Sequence, residues 1–172
     1  GELETIRNMI DNFAFLIHRY GHIPNGNRSY YLSRSQPAFF ALMVELYASA
    51  ANDSIISEYA DAIEKEYAYW MDGYDGLKAG RSYKKLVCMP DGSILNRYFD
   101  ELYMPRHESW QDDVETAAKS SRPAETVYNH LRSAAESGWD FSSRWLADEM
   151  DLSSIETSDI IPIDLNVLLY HT

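Results

Sequence analysis

Cysteine and basic residues are scarce in this sequence of 172 residues. Cys88 is the single cysteine, so the chain can form no internal disulfide and no zinc site built from cysteine thiolates. A lone thiol fits a reducing compartment but does not exclude an exported protein. Lysine and arginine number 15 against 27 aspartates and glutamates, which gives a net charge of -12. Nucleic acid is therefore not an expected partner, because its recognition depends on clustered positive charge.

Long apolar runs are also missing. No segment approaches the roughly 18 apolar residues that cross a bilayer, and the N-terminus lacks the basic and then apolar pattern of a signal peptide. We therefore expect a soluble chain with no membrane partner. The sequence begins at Gly1, almost inside a predicted helix and without methionine. This start predicts a piece of a longer protein, in which an upstream segment could carry a targeting signal.

Motifs for metals and phosphates are absent as well. The five histidines show no metal-ligand spacing, and no glycine-rich phosphate loop or Ser-His-Asp arrangement stands out. We expect no metal and no cofactor. By contrast, 45% of the residues are hydrophobic, which is enough for the packed core of one domain.

Apolar residues recur at helical spacing in six segments. The segments are Leu3 to Tyr20 before a capping glycine at Gly21, Pro37 to about Ala51, Ile56 to Trp70 after a cap at Asp53 or Ser54, Trp110 to about Lys119 after Ser109, Pro123 to Glu136, and a last helix capped by Asp164 and running through Tyr170. A small β-hairpin is predicted around Pro90-Asp91-Gly92, with strands over Lys84–Met89 and Ser93–Tyr98. The predicted fold class is all-α, with long polar loops between the helices.

Two of these helices have a predicted buried face. The second is expected to bury Phe40, Met43, Leu46 and Tyr47, and the fifth is expected to be amphipathic, with Val127, Tyr128, Leu131 and Ala135 on its apolar side.

An aspartate between two aromatic residues follows the fifth helix. Gly138 suits the left-handed position past the helix end, which puts Asp140 on a tight turn between Trp139 and Phe141. Partial desolvation by these rings should raise the pKa of Asp140 and keep it protonated near neutral pH, as a general acid requires. The alternative is structural: Trp139 and Trp145 anchor the core, and Asp140 caps the next turn. These residues alone leave both interpretations open.

Polar side chains concentrate in three of the loops. They are Asn25, Asn27, Arg28, Arg34, Ser35 and Gln36; Arg97, Asp100, Glu101, Arg106 and Glu108; and Asp140 with Arg144. Together, arginine, amide and carboxylate groups donate and accept the hydrogen bonds of sugar hydroxyls, while tryptophan covers the apolar face of a sugar ring. A structural alternative stays open here too, since arginine-carboxylate pairs commonly hold loops together.

The segment from Ile23 to Pro37 reads Ile-Pro-Asn-Gly-Asn-Arg-Ser-Tyr-Tyr-Leu-Ser-Arg-Ser-Gln-Pro and resembles a signature of the α,α-trehalases, inverting glycoside hydrolases with an (α/α)6 barrel. Further matches follow in order at Leu95–Tyr98, Pro105–Trp110, Ser137–Trp145 and Ile161–Asn166. The resemblance implies that residues 1–172 are the central portion of a trehalase catalytic domain and form part of such a barrel. It is closest to the enterobacterial enzymes and somewhat nearer their cytoplasmic form. We therefore expect a cytoplasmic protein, with the periplasm as the alternative.

The resemblance also implies residue roles. The aspartate of the family's Gly-Trp-Asp-Phe motif is its general acid, which falls on Asp140. The residues implied to bind the disaccharide are Asn25, Arg34, Ser35, Gln36, Arg106, His107, Glu108 and Gly138. His107 stands where relatives carry proline or an acid, so only its backbone role carries over. The implied function is hydrolysis of the substrate α,α-trehalose to two glucose molecules, with inversion at the attacked carbon.

The sequence contains only one of the two catalytic groups that this reaction needs. An inverting hydrolase needs an acid and a base on opposite sides of the bond, with the carboxyl groups about 6.5–9.5 Å apart. The family's base, a glutamate, has no counterpart in the sequence, so the chain is expected to work with missing parts of its own catalytic domain. Two alternatives stay open: a non-catalytic helical carbohydrate-binding or scaffold module, and a hydrolase of another disaccharide.

Overall fold

The computed structural model describes residues 1–172 as six helices and one small sheet. The helices are α1 (Glu2–Tyr20), α2 (Phe40–Ala51), α3 (Ile55–Trp70), α4 (Trp110–Lys119), α5 (Ala124–Ser137) and α6 (Ile163–His171), and the strands are β1 (Arg81–Tyr83), β2 (Leu86–Cys88) and β3 (Ile94–Asn96). The six predicted helices are thus all present, joined by long loops that contain short 3-10 turns. None of them combines the length and the apolar character needed to cross a bilayer.

The predicted hairpin is part of a larger sheet. Strands β2 and β3 pair antiparallel, with Leu86 opposite Asn96. The predicted hairpin omitted a third strand. Strand β1 pairs antiparallel with the other edge of β2, with Tyr83 opposite Leu86. Lys84 lies in the tight connection between them at a φ of 47°. Since all of β1 is exposed, it lacks the alternating apolar pattern by which a strand is recognised.

Helices α1, α2 and α3 pack against one another around a first hydrophobic core. Ile17, Phe40 and Val44 are fully buried there. The predicted face of α2 was wrong at Leu46, which is 73% exposed, and it omitted Val44. Because α2 is apolar around most of its circumference, periodicity does not single out the buried side. The helix also begins at Phe40 rather than in the turn at Pro37.

Helix α5 lies between a second hydrophobic core and the polar loops. Of its predicted apolar face, Val127, Tyr128 and Leu131 pack with α4, α6 and Trp145, whereas Ala135 is outside this core and lines a pocket on the loop side. The opposite face is also buried, which the one-sided prediction missed. Its polar side chains, which have almost no contact with solvent, are Asn129, Arg132, Ser133 and Glu136. Buried polar groups need partners, and the loops supply them.

The carboxylate of Glu136 joins three separate segments. Its Oε1 accepts hydrogen bonds from the backbone N–H and the hydroxyl of Ser35, at 3.0 and 3.1 Å, and from the ammonium of Lys85 in the turn before β2. Its Oε2 accepts from the backbone N–H of Phe99 at 2.9 Å. One turn earlier, Arg132 donates to Asp100 at 2.8 Å. The loops therefore take their positions from α5.

The final helix begins one residue earlier than its predicted cap. Pro162 precedes α6, and Asp164 lies inside its first turn, where it pairs with Arg144 at 2.9 Å. Proline suits this place because its missing N–H would have no partner in the helix.

We expect Glu136→Gln to lower the free energy of unfolding by about 3 to 5 kcal/mol, since it leaves the buried ammonium of Lys85 without a counter-charge. Urea denaturation of the purified protein measures this, with the exposed Glu149→Gln as the control. A loss below about 1 kcal/mol would show that the network contributes little to stability.

A second buried acid makes stability depend on pH. Burial raises the pKa of Glu66, in α3, to about 8, although the backbone N–H of Phe40 opposes the rise. The pKa of Glu66 is thus higher in the folded protein than its ordinary value of 4.5 in the unfolded chain. Ionisation of Glu66 therefore destabilises the fold progressively as the pH rises from 4.5 to about 8.

Glu66→Gln should therefore stabilise the protein at pH 9, by an amount of the order of 5 kcal/mol, and the gain should vanish near pH 4.5. Denaturation curves across this range test it. Glu64→Gln, an exposed change on the same helix, should follow wild type, and a pH-independent effect of Glu66→Gln would contradict the assignment.

Candidate active site

The turn after α5 carries Asp140 between two left-handed residues. Gly138 ends the helix at a φ of 71°, as predicted, and Phe141 has a φ of 53°. Such a conformation is costly for a bulky side chain, by about 1 to 3 kcal/mol, and persists only where the surroundings impose it. Here the guanidinium of Arg106 lies over the ring of Phe141, 4.7 Å from its centroid. The contact with Arg106 therefore helps to hold the turn that carries Asp140.

Asp140 faces an open pocket of about 540 Å3. The pocket is lined by Asn25, Gln36, Ala135, Gly138, Trp139, Asp140 and Ser142. Four residues predicted for the site, from two loops more than a hundred residues apart, thus share one wall. The side chain of Asp140 is not turned into the protein interior.

Opposing charges act on the carboxyl group of Asp140. Partial burial raises its pKa above the usual range, whereas the positive charges of Arg106 and Arg34 lower it and the negative charge of Glu108 raises it again. Burial outweighs the arginines, so the protonated form is favoured more than in a free aspartate. This is the property that a proton donor needs.

Arg34 is fully buried, and only part of its guanidinium has a partner. Its Nη2 donates to Glu108, and the group lies over the ring of Tyr31. Its Nε and Nη1 make no hydrogen bond within the chain. Buried N–H donors without acceptors are costly, and both atoms are shielded from solvent in this structure.

Arg106 is held more tightly. Its Nε and Nη2 donate to both oxygens of the buried carboxylate of Asp113, with the shortest contact at 2.6 Å, and its backbone N–H donates to the same group at 2.7 Å. Sequence reasoning missed Asp113. It lies in the first turn of α4, where an acid is usually read as a favourable charge for the helix dipole, and its burial could not be read from the sequence.

Asn25 and Gln36 use their amide nitrogens to fix the loop. The Nδ2 of Asn25 donates to the carbonyl of Ala135 at 3.0 Å, and the Nε2 of Gln36 donates to the carbonyl of Asn25 at 2.9 Å. Because the N–H groups are engaged, the amide oxygens remain as acceptors for a ligand.

Five of the predicted residues do not line the pocket, namely Arg34, Ser35, Arg106, His107 and Glu108. Ser35 is buried, and its hydroxyl donates to Glu136 rather than toward the pocket. His107 is exposed and stacks on Tyr30, with ring centroids 5.5 Å apart, and Trp110 meets its edge at 6.1 Å. Neither side chain contacts Asp140, so any role in ligand binding would pass through the backbone or through neighbouring residues.

The site contains no set of side chains suited to bind a metal ion. No group of three or more histidine, cysteine, aspartate or glutamate side chains is arranged to hold a metal ion. The arrangement instead offers a carboxyl with a raised pKa and two amide oxygens at an open pocket, and two arginines whose charges act on that carboxyl, a set suited to a hydroxyl-rich ligand.

A sequence model for the family described as trehalase matches residues 1–172. The chain belongs to the trehalase family. It is 56% identical to the periplasmic trehalases of Xanthomonas campestris pv. campestris strain B100 and of Pseudomonas aeruginosa PAO1, and 53% identical to that of Escherichia coli O1:K1. Each alignment covers 99% of this chain but only 30%, 32% and 30% of the respective relative.

The fold agrees with this family. A neutral trehalase from Saccharomyces cerevisiae superposes with a TM-score of 0.63 and 26% sequence identity, over 98% of this chain and 32% of the yeast chain. The expected helical architecture of a trehalase is thereby confirmed. The chain spans about a third of the length of these relatives.

We expect Gly138→Ala to cost about 1 kcal/mol of stability, because alanine is strained at a φ of 71° although its Cβ would meet Pro37 at an ordinary 3.7 Å. Thermal denaturation measures the loss. Gly76→Ala is the matched control, since Gly76 has an ordinary φ and free space around it. Equal stability of the two variants would argue against strain at the end of α5.

Proposed function

We propose that the protein carrying this chain hydrolyses α,α-trehalose to two glucose molecules with inversion, and that residues 1–172 are the central portion of its catalytic domain. The observation that carries the proposal is Asp140, a carboxyl with a raised pKa in the pocket shared by Asn25 and Gln36. The names of the relatives support trehalose as the substrate.

Asp140 acts as the general acid and protonates the glycosidic oxygen as the bond to the leaving glucose breaks. Arg34 holds sugar hydroxyls through its unpartnered Nε and Nη1, and Arg106 through its Nη1, which is outside its pairing with Asp113. Their contribution is to orient the substrate. Glu108, Gly138 and the backbone around Ser35 and His107 complete this side of the site.

The catalytic base is supplied from outside this chain. Inversion requires a second carboxylate across the bond, about 6.5–9.5 Å from the acid, to activate water. The exposed apolar side chains of α1 and α6 support the presence of further helices. They include Leu3, Ile6, Met9 and Phe15 on α1, and Ile163, Val167 and Tyr170 on α6. Apolar surface of this kind is normally covered by a neighbouring part of the protein.

A second candidate function is a non-catalytic helical module that binds carbohydrate or serves as a scaffold. The pairs of Arg106 with Asp113 and of Arg132 with Asp100 favour it, because both act as internal supports for loops. The partly unpartnered Arg34 and the raised pKa of Asp140 favour the hydrolase.

For the compartment, we propose the periplasm. The sequence suggested the cytoplasm with the periplasm as the alternative, and the relatives named as periplasmic trehalases support the alternative.

In the full-length protein, Asp140→Asn should lower kcat by about 100 to 10,000 fold, because the amide cannot give up a proton. Trehalose binding should stay within a few fold of wild type, because the amide keeps the shape of the side chain. Glucose release and calorimetric binding measure the two effects. Asp112→Asn, on the exposed side of α4, is the control. Retained turnover, or loss of binding along with turnover, would contradict the assigned role.

A further inference from the structure

The guanidinium of Arg144 lies close to two indole rings beside the Asp140 pocket. Its central carbon is 4.6 Å from the centroid of the Trp139 ring and 5.3 Å from that of Trp145. Its Nη1 donates to Asp164 in the first turn of α6 at 2.9 Å. The side chain therefore connects α6 to the turn that carries the proposed acid.

One side of this arrangement is rigid. Trp145 is buried in the second core, and its Nε1 donates to the backbone carbonyl of Trp139 at 2.9 Å. The ion pair with Asp164 is half-exposed, and it is compatible with stacking because arginine can stack through its face while its edge donates hydrogen bonds. Arg144 thus contacts one buried ring and one half-exposed carboxylate.

The Trp139 side of this arrangement is more exposed. The side chain of Trp139 is in neither hydrophobic core, and the residue is 53% exposed. It nevertheless lines the same pocket as Asp140, its neighbour in the chain. An exposed ring that is not packed can change rotamer, and a cation over its face favours one position.

We propose that Arg144 is a positioning residue, which holds the indole of Trp139 as a wall of the Asp140 pocket. The inference rests on the proposed function, because the wall matters for turnover only if Asp140 donates a proton there. Arg144 itself does not line the pocket, so it acts through Trp139. Misplacement of a wall beside a reacting group lowers the rate of the chemical step more than it weakens ground-state binding.

The kinetic test compares Arg144→Met and Arg144→Lys in the full-length protein. We expect Arg144→Met to lower kcat about tenfold with KM changed less than threefold, and Arg144→Lys, which keeps a cation over the rings, to recover part of the loss. Arg19→Met is the matched control, because Arg19 lies over Tyr20 at 5.3 Å in an exposed stack on α1. The proposal fails if kcat of Arg144→Met stays within twofold of wild type, or if the whole effect is on KM.

A spectroscopic test does not depend on catalysis. Subtracting the emission of Trp139→Phe from that of wild type isolates the signal of Trp139, and the same subtraction in the Arg144→Met background gives its signal without the cation. Acrylamide should quench the isolated signal at least twofold more strongly in the absence of Arg144, since the ring is then free to leave its place. Equal quenching would overturn the inference.

These readouts separate the two proposals. If Asp140→Asn keeps full turnover, the proposed function fails, and the quenching result still decides whether Arg144 holds Trp139. If Asp140→Asn is inactive and Arg144→Met resembles wild type in both rate and quenching, the function stands and the positioning role is rejected.

Discussion

The fold and the candidate site both depend on the buried carboxylate of Glu136. It accepts hydrogen bonds from Ser35, Lys85 and Phe99, which belong to the loop before α2, the turn before β2 and the loop before α4. An uncompensated carboxylate in this place would be very costly, so each segment must approach α5 in one geometry. The charge therefore gives the loops a defined position rather than simply adding stability.

This constraint explains how polar loops can be ordered between two hydrophobic cores. The first core joins α1, α2 and α3, and the second joins α4, α5, α6 and Trp145. Trp70, at the end of α3, belongs to the second core and so links the two. The polar face of α5 fills the space between the loops, where an apolar face would leave their backbone groups without partners.

The candidate acid benefits from the same rigidity. Asp140 follows Glu136 by four residues, so the network at the end of α5 also fixes where the turn begins. Phe141 keeps its costly left-handed conformation, with its ring against the guanidinium of Arg106. That guanidinium is in turn paired with the carboxylate of Asp113. A carboxyl placed in this way loses little freedom when a ligand binds, which is how orientation can contribute to a reaction rate.

The sequence by itself determined the helices, the cap at Gly138, the β2–β3 hairpin and the family resemblance, because these depend on local spacing and short motifs. Only the tertiary structure decided that Leu46 is exposed, that β1 pairs with β2, and that Glu136 is buried. It also decided that Asn25 shares a pocket with Asp140 while Ser35 lies behind it. The physical reason is that burial and pairing depend on residues far apart in the chain, whereas a polar residue on a helix has the same local pattern whether it faces water or a buried partner.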